Sequence, residues 1–518
     1  MKKIPIIILF ILALSVLAVS CDLNNEDDYN ITGNFWAIDM STDRFYRVDA
    51  ELLASNERCE VWVEKGKGVT AAMALEVANE YKNGIVDKMV DAFGISIDNN
   101  GAPITIMDQA DIFGDGNGKL CILLLDIKDN YKGVNDSYVA GYFYSGDFYS
   151  KSTAEFYGFR SNERDMIYID IYPGLNSKNI KSTYMTLAHE LQHLINFTTS
   201  QVVRRKTENG ITSVTAMDTW IDEGLSSAAE VIYLGKQNIE RLAWYCLNGT
   251  NNITSSIHFG NNFFSWGNDM CTTHGNGKTN CNYNCKKNIY AILDEYATVY
   301  LFFQWLKIHY GDDIYRSIIS SKDHDYRAVT SKIGGDLKNN WSELIKTWHA
   351  ANFIYGSNQY GYNNVFSPLL GDYGITFKTH YAPTNLPNIT LLPGEGVYSL
   401  ANTNPNVSSA GNISYSFLSK NPGAVNTSFQ SGATLLTFNS SSNNKGNGEQ
   451  GKVTGAAPPS IIISPNDNVQ GSRSAVSAPS MFKGPFPIGA HDVLRSKGSS
   501  LKVPGTPLLL KGLDDDKD

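Results

Sequence analysis

The stretch YMTLAHELQHLIN, residues 184–196, sets two histidines and a glutamate within one turn of each other. Tyr184, Leu187, Ala188, Leu191, Leu194 and Ile195 recur at the three- and four-residue spacing of a buried helical face, so the segment is predicted as one helix. On a helix, His189 and His193 project from the same face and can bind the same ion. Zinc suits two neutral imidazole nitrogens and leaves a position open for water. Glu190 sits about a quarter-turn away, placed to take a proton from that water and too displaced to ligate beside its neighbour. Two helix histidines also serve as ordinary polar contacts, so a metal reading requires a third protein ligand.

TWIDEGLSSAAE, Thr219 to Glu230, offers one. It reads as the start of a second amphipathic helix, with Trp220 turned inward and Glu223 in the first turn, far enough along the chain for a loop and a return to the first helix. Alone, Glu223 would be an acid complementing the helix dipole. Beside the histidine pair it becomes the candidate third ligand. Glu230, seven residues on, shares that helical face and is placed either to hydrogen-bond a ligand histidine or to face solvent.

Together HELQH and WIDEG resemble the gluzincin zinc peptidases, in which a helix of WxNEG-like sequence brings a glutamate to the metal. Asp222 stands here where asparagine is more usual. DGNGKLCILLLDI, YVAGYF and MIYIDIYP extend the likeness to the hyicolysin-like family, over residues 40–350 or thereabouts. A metzincin would carry Gly and His at the third and sixth places after the second histidine, where this chain has Asn196 and Thr199. The resemblance implies an α+β, thermolysin-like catalytic domain. It implies one catalytic zinc held by His189, His193 and Glu223, with Glu190 as general base, and protein or peptide substrates hydrolysed without a covalent intermediate. It further implies a tyrosine oxyanion donor just before a helix that ends in a glycine turn. YATVYLFFQWLKIHYG puts Tyr296 in that place, with Tyr300 and His258 as alternatives and core packing as the ordinary role of both tyrosines. The Gly-x-Met-Glu-Asn element with which aminopeptidases of that clan hold a substrate amine does not occur, which favours an endopeptidase. The competing reading is a non-catalytic adhesin or binding lipoprotein on the same scaffold. Such a chain would be expected to have lost Glu190 or a ligand, and this one keeps all four.

The elements that must position these residues are also legible. CEVWVE from Cys59, LCILLLD from Leu120 and MIYIDI from Met166 read as strands, and Val77, Tyr81, Ile85, Met89 and Phe93 stack at i, i+4 as a helix. An N-terminal mixed-sheet subdomain is therefore expected over 51–180 and a mainly helical zinc subdomain over 181–350. A small β-rich region over 351–440 and a Ser/Asn/Gly/Pro-rich tail over 441–518 follow; the tail has too little apolar surface to bury and is expected to be flexible. DGNGK reads as a hairpin turn more simply than as a calcium loop. With 42% hydrophobic residues, 28 Tyr and 23 Phe there is ample material for a core. A net charge of -9, with no basic run or aromatic-basic stripe standing out, weighs against a nucleic-acid partner.

The first residues read as an address. Lys2 and Lys3 precede an uncharged run from Ile4 to Ser20, and small residues lead to Cys21, which resembles a bacterial lipoprotein signal over 1–21. Cys21 would then be acylated, residues 22–50 would be a tether and lead-in, and the chain would be exported and lipid-anchored to the cell envelope. An uncleaved membrane helix is the alternative. Six cysteines remain, an even number that favours disulfides in an exported chain, and the same argument weighs against a second zinc site at Cys271, His274, Cys281 and Cys285.

Overall fold

The computed structural model describes residues 33–42, 44–94, 114–132, 138–175, 180–208, 211–251, 263–264, 290–355, 361–377, 379–381, 389–391, 393–400, 407–409, 413–418, 425–426, 434–440 and 460–461. Cys21, His258, Cys271, His274, Cys281 and Cys285 lie outside the described residues, and so do the signal, lipid-anchor and cysteine-cluster expectations. Among the described residues no helix is long and apolar enough to cross a membrane.

The sheet begins earlier than its expected start at residue 51. β1 (Asn34–Asp39) and β2 (Arg44–Ser55) pair antiparallel inside the stretch read as tether, and β2 pairs antiparallel with β3 (Cys59–Glu64). β3, β4 (Leu120–Leu125) and β6 (Met166–Asp170) are parallel, and β5 (Gly141–Phe143) lies antiparallel to β6. β4 and β6 are buried at every position. An uninterrupted apolar run such as LCILLL requires cover on both sheet faces. α1 (Ala71–Glu80) and α4 (Ile180–Val203) cover one face, the side of Cys59, Phe143 and Ile169; α2 (Val86–Phe93) packs on α4, which follows the short α3 (Lys151–Tyr157). On the other face Tyr142 accepts from the Ile38 N–H of β1, and Tyr168 meets Asp147 and Asn162. DGNGK feeds β4 through an Asx-type turn in which Asp115 accepts from the Asn117 N–H. Because β4 pairs in parallel with its neighbours, this turn is not a hairpin between them.

The helix expected across Val77 to Phe93 contains a π turn at Tyr81–Ile85, closed by the Val86 N–H on the Tyr81 carbonyl. The cause is in the spacing. Four residues overshoot an α-turn of 3.6, so a strict i, i+4 stripe drifts by about 40° per step. One wider turn resets it, and Val77, Tyr81, Ile85, Met89 and Phe93 are all buried.

A hairpin of β7 (Arg205–Glu208) and β8 (Ile211–Val214) leads from α4 to α5 (Thr219–Leu234), α6 (Ile239–Asn251) and α7 (Tyr290–Tyr310), which stops at Gly311. α8 (Ile314–Ile319), α9 (Tyr326–Thr330), α10 (Trp341–Ile354) and α11 (Ser367–Asp372) complete the helical part. The β-rich region then supplies β9 (Ile389–Leu391), β10 (Gly396–Leu400), β11 (Val407–Ser409), β12 (Ile413–Leu418), β13 (Val425–Asn426) and β14 (Thr434–Asn439). Four of these form a sheet in the order β10-β14-β12-β13. Ser460–Ile461, inside the tail expected to be flexible, pair antiparallel with β5. Ile461 is β-branched, which suits an open sheet edge.

The disulfide expectation fails for Cys59 and Cys121, which are buried free thiols. In the parallel register Cys59 faces Leu120, so Cys121 is one residue out of step and leaves the opposite side of the sheet. Cys59 Sγ faces the Ala78 carbonyl, while Cys121 lies beside Arg164.

Candidate metal centre

Three elements converge on the histidine pair. α4 carries His189, Glu190 and His193, all at most 1% exposed, and packs on α5, which in turn packs on α7. Trp220 anchors the start of α5 among Phe263, Phe302, Phe303 and Trp341. That burial turns the next part of the helix, with Glu223, toward α4. Glu223 is the fifth residue of α5, so it stands just past the first turn instead of within it. Gly224 permits the packing behind it, since a Cβ there would collide with the Phe303 ring of α7.

Glu223 Oε2 lies 3.3 Å from His189 Nε2 and 3.6 Å from His193 Nε2. Ligand atoms of the two histidines and Glu223 all fall within 4.8 Å of one another. Neither Nε2 and neither Glu223 oxygen has a hydrogen-bond partner of fitting geometry. Buried polar atoms left so are rare, and four aimed at one point describe a cation site. Zinc ligands at 2.0–2.1 Å in a tetrahedron stand roughly 3.3–3.4 Å apart, so the spacing and the donor set fit that ion. The local field agrees. Burial works against the charged forms of both His193 and Glu223, yet Asp222 and Glu223 hold His193 well above its ordinary pKa. The two histidines, His193 first, likewise hold Glu223 well below the usual carboxylate range.

Outer partners fix each ring. His189 Nδ1–H donates to Glu230 Oε1 at 2.9 Å. Glu230 also accepts from Arg241 Nη2 at 2.8 Å and from the Asn238 amide at 2.8 Å. Burial tends to raise the Glu230 carboxyl, but Arg241 and His189 outweigh it and hold it at about 2. His193 Nδ1 lies 3.0 Å from Asp222 Oδ1 and 3.1 Å from Ser226 Oγ. Since an ionised carboxylate only accepts, Nδ1 carries the proton in both histidines and Nε2 turns its lone pair inward.

Tyr296 is buried within α7, six residues past the start of the helix and so not ahead of it as expected. Its ring is 6.4 Å from that of His189, and the Arg241 guanidinium lies over it at 4.7 Å. Burial first, then the neighbouring Glu223 carboxylate, pushes its phenol well above the ordinary value. Tyr300 points elsewhere: its hydroxyl donates to Gln237 Oε1 and accepts from the Asn238 N–H at 3.1 Å. The structure thus brings together His189, His193, Glu223, Glu230 and Tyr296, with Glu190 between the two histidines in the same buried turn of α4. Sequence reading missed Asp222 as the partner of His193, and missed Asn238, Arg241 and Ser226. Asp222 was visible only as a departure from asparagine, and Asn238 and Arg241 arrive across the α5–α6 turn, where no periodic spacing announces them.

No protein-family model matches the chain. It is similar to the neutral metalloprotease ShpI of Staphylococcus hyicus, 28% identical over 310 residues. The match covers 59% of this chain and 58% of the relative, so the chain spans little more than half of that protein's length. This similarity supports a metalloprotease family, and the His-His-Glu cluster fits a metal site.

Proposed function

We propose that the chain is a zinc-dependent endopeptidase of gluzincin type, exported and held at the cell envelope through Cys21. The observation that carries the enzymatic part is the convergence of His189 Nε2, His193 Nε2 and the Glu223 carboxylate in a buried cluster, without hydrogen-bond partners of fitting geometry and with Glu190 in the same turn as the histidines. Zinc, when bound, supplies the Lewis acid that lowers the pKa of water and polarises the scissile carbonyl. Glu190 takes the proton of the attacking water and passes it to the leaving amine. Tyr296, whose buried phenol is protonated at neutral pH, gives a hydrogen bond to the developing oxyanion. Glu230 and Asp222 keep the imidazoles turned so that Nε2 remains a ligand. Retention of Glu190 beside all three ligands favours this reading over a non-catalytic scaffold. The test is cleavage of an unstructured protein substrate by the chain starting after Cys21. Activity that a zinc chelator abolishes and added zinc restores is expected; chelator-insensitive cleavage, or none with zinc bound, overturns it.

A further inference from the structure

A line of buried polar side chains leads along α4 away from the metal centre. His193, Asn196, Ser200 and Arg204 follow one another at spacings of three, four and four, which is one face of a helix, and each is at most 3% exposed. The guanidinium of Arg204, just past the end of α4, uses all five of its N–H groups. Nε donates to the Thr215 carbonyl at 3.1 Å, and Nη1 to the carbonyls of Ile319 at 3.0 Å and Ser321 at 2.8 Å. Nη2 donates to Asn196 Oδ1 at 3.3 Å and to Ser200 Oγ. None of these five acceptors is charged, so a buried cation is held entirely by neutral dipoles. Its counter-charge is Asp222, one side chain further on. The Asn196 amide nitrogen donates to Asp222 Oδ1 at 2.5 Å while its oxygen accepts from Arg204, so the amide is oriented by charge at both ends. Asp222 Oδ1 is the same atom that faces His193 Nδ1.

We propose that Arg204 is a positioning residue of the metal centre: through Asn196 it compensates the buried charge of Asp222 and fixes the carboxylate that orients His193. The inference rests on the zinc reading and extends it to residues that touch neither metal nor substrate. An asparagine at 222 would accept the same imidazole hydrogen bond with no charge to bury. An aspartate makes the imidazole a stronger ligand, but a buried carboxylate demands a compensating cation. Arg204 meets that demand from a fixed place, because its other bonds reach the segment ahead of α5 and the end of α8. Asp222 therefore cannot turn away from His193 without leaving Asn196 half-satisfied.

Zinc affinity, read by competition with a chromophoric chelator on the full chain, tests this independently of activity. Arg204→Met, checked for folding by circular dichroism, is expected to weaken zinc binding by roughly tenfold to a hundredfold. The double variant Arg204→Met with Asp222→Asn is expected to bind zinc as tightly as Asp222→Asn alone, because the amide needs no compensating charge. Unchanged affinity in folded Arg204→Met overturns the proposal. So does an equal loss in the aspartate and asparagine backgrounds, which would assign Arg204 a purely packing role. If Arg204→Met fails to fold, Asn196→Ala reads the same link, with weakened affinity supporting it and wild-type affinity overturning it. Parent protein that binds no zinc at all would overturn the metal-centre reading itself, and this inference with it.

Discussion

Glu190 on α4 and Glu223 on α5 are both buried carboxylates, and their surroundings divide the work between them. Glu223 faces both imidazole Nε2 atoms and has its charge held in place by them. Glu190 follows His189 in the same buried turn of α4 that carries both ligand histidines. Glu190→Gln keeps shape and removes basicity, so the variant should carry the parent's zinc content and lose two to four orders of magnitude in turnover, on the order of a general base's contribution. Elemental analysis beside a peptide assay checks both halves, and undiminished turnover would remove the residue from the mechanism. Glu230 has a different weight, because its loss strands two partners. In Glu230→Ala the Arg241 guanidinium keeps its burial without its carboxylate, and His189 loses the acceptor that sets its tautomer. Zinc affinity should fall roughly tenfold to a hundredfold. The metal-free protein should lose about 3–5 kcal/mol, the cost of breaking a buried pair, measured by urea denaturation. Equal stability of parent and variant would mean that Arg241 finds another partner. His189 with His193, and Glu223 with Glu230, could be set on one face from sequence because each of these relations runs along a single helix, where spacing fixes direction; whether Glu230 meets a histidine or solvent stayed open, since its bond to His189 crosses from α5 to α4. The His193–Asp222 and Glu230–Arg241 pairs join different helices, and their geometry depends on how α4, α5 and α6 pack, which no local spacing encodes.

Elements show the same division. β4 was legible because a run buried on both faces has nothing to alternate with, and α4 because its apolar stripe is unbroken. β1 and β2 were not recognised, since NFWAID mixes apolar and polar residues without a clean alternation, and RFYRVDAELLAS is exposed or half-exposed over most of its length. The two-residue strand at Ser460–Ile461 is set by an edge on β5 far away in sequence, which the composition of the tail conceals. In the sequence the WIDEG glycine is only one letter of a motif, yet it has a packing reason: α5 and α7 approach over Gly224, whose added Cβ would strike the Phe303 ring. Gly224→Ala must therefore push α7 outward or force Phe303 from its rotamer, an overpacking cost of about 1–3 kcal/mol. Because α7 also carries Tyr296, the same displacement should lower kcat while zinc content holds. Adding Phe303→Leu should return part of both losses. A Gly224→Ala protein as stable and active as its parent would show that α5 and α7 adjust without strain.

Across the whole molecule, the sheet and the helical part share one continuous apolar core, so a buried titratable group packed on the sheet is felt as global stability. Asp147, in the short turn Ser145–Phe148 after β5, is such a group. Its Oδ1 accepts from the Asn162 N–H at 2.8 Å and its Oδ2 from the Tyr168 hydroxyl at 2.5 Å. Asn162 in turn exchanges hydrogen bonds with the backbone of Trp36, tying edge strand β1 to β6. Burial pushes the Asp147 carboxyl up to about 7 in spite of these donors, from an unfolded value near 3.8. Between those two values the folded chain holds a proton that the unfolded chain has released. Stability from this group is therefore greatest below pH 3.8, declines as pH rises through the window, and levels off above about 7. Other titrating groups act alike on parent and variant, so they cancel in a difference. Asp147→Asn cannot ionise, and its stability relative to the parent should rise steadily from pH 4 to pH 7, by a few kcal/mol at most since each pKa unit is worth about 1.4 kcal/mol. Urea midpoints of the two proteins at matched pH measure that difference. A gap that stays constant between pH 4 and pH 7 would mean that Asp147 ionises freely in the folded chain, with the three-residue network of Asp147, Asn162 and Tyr168 opening to water.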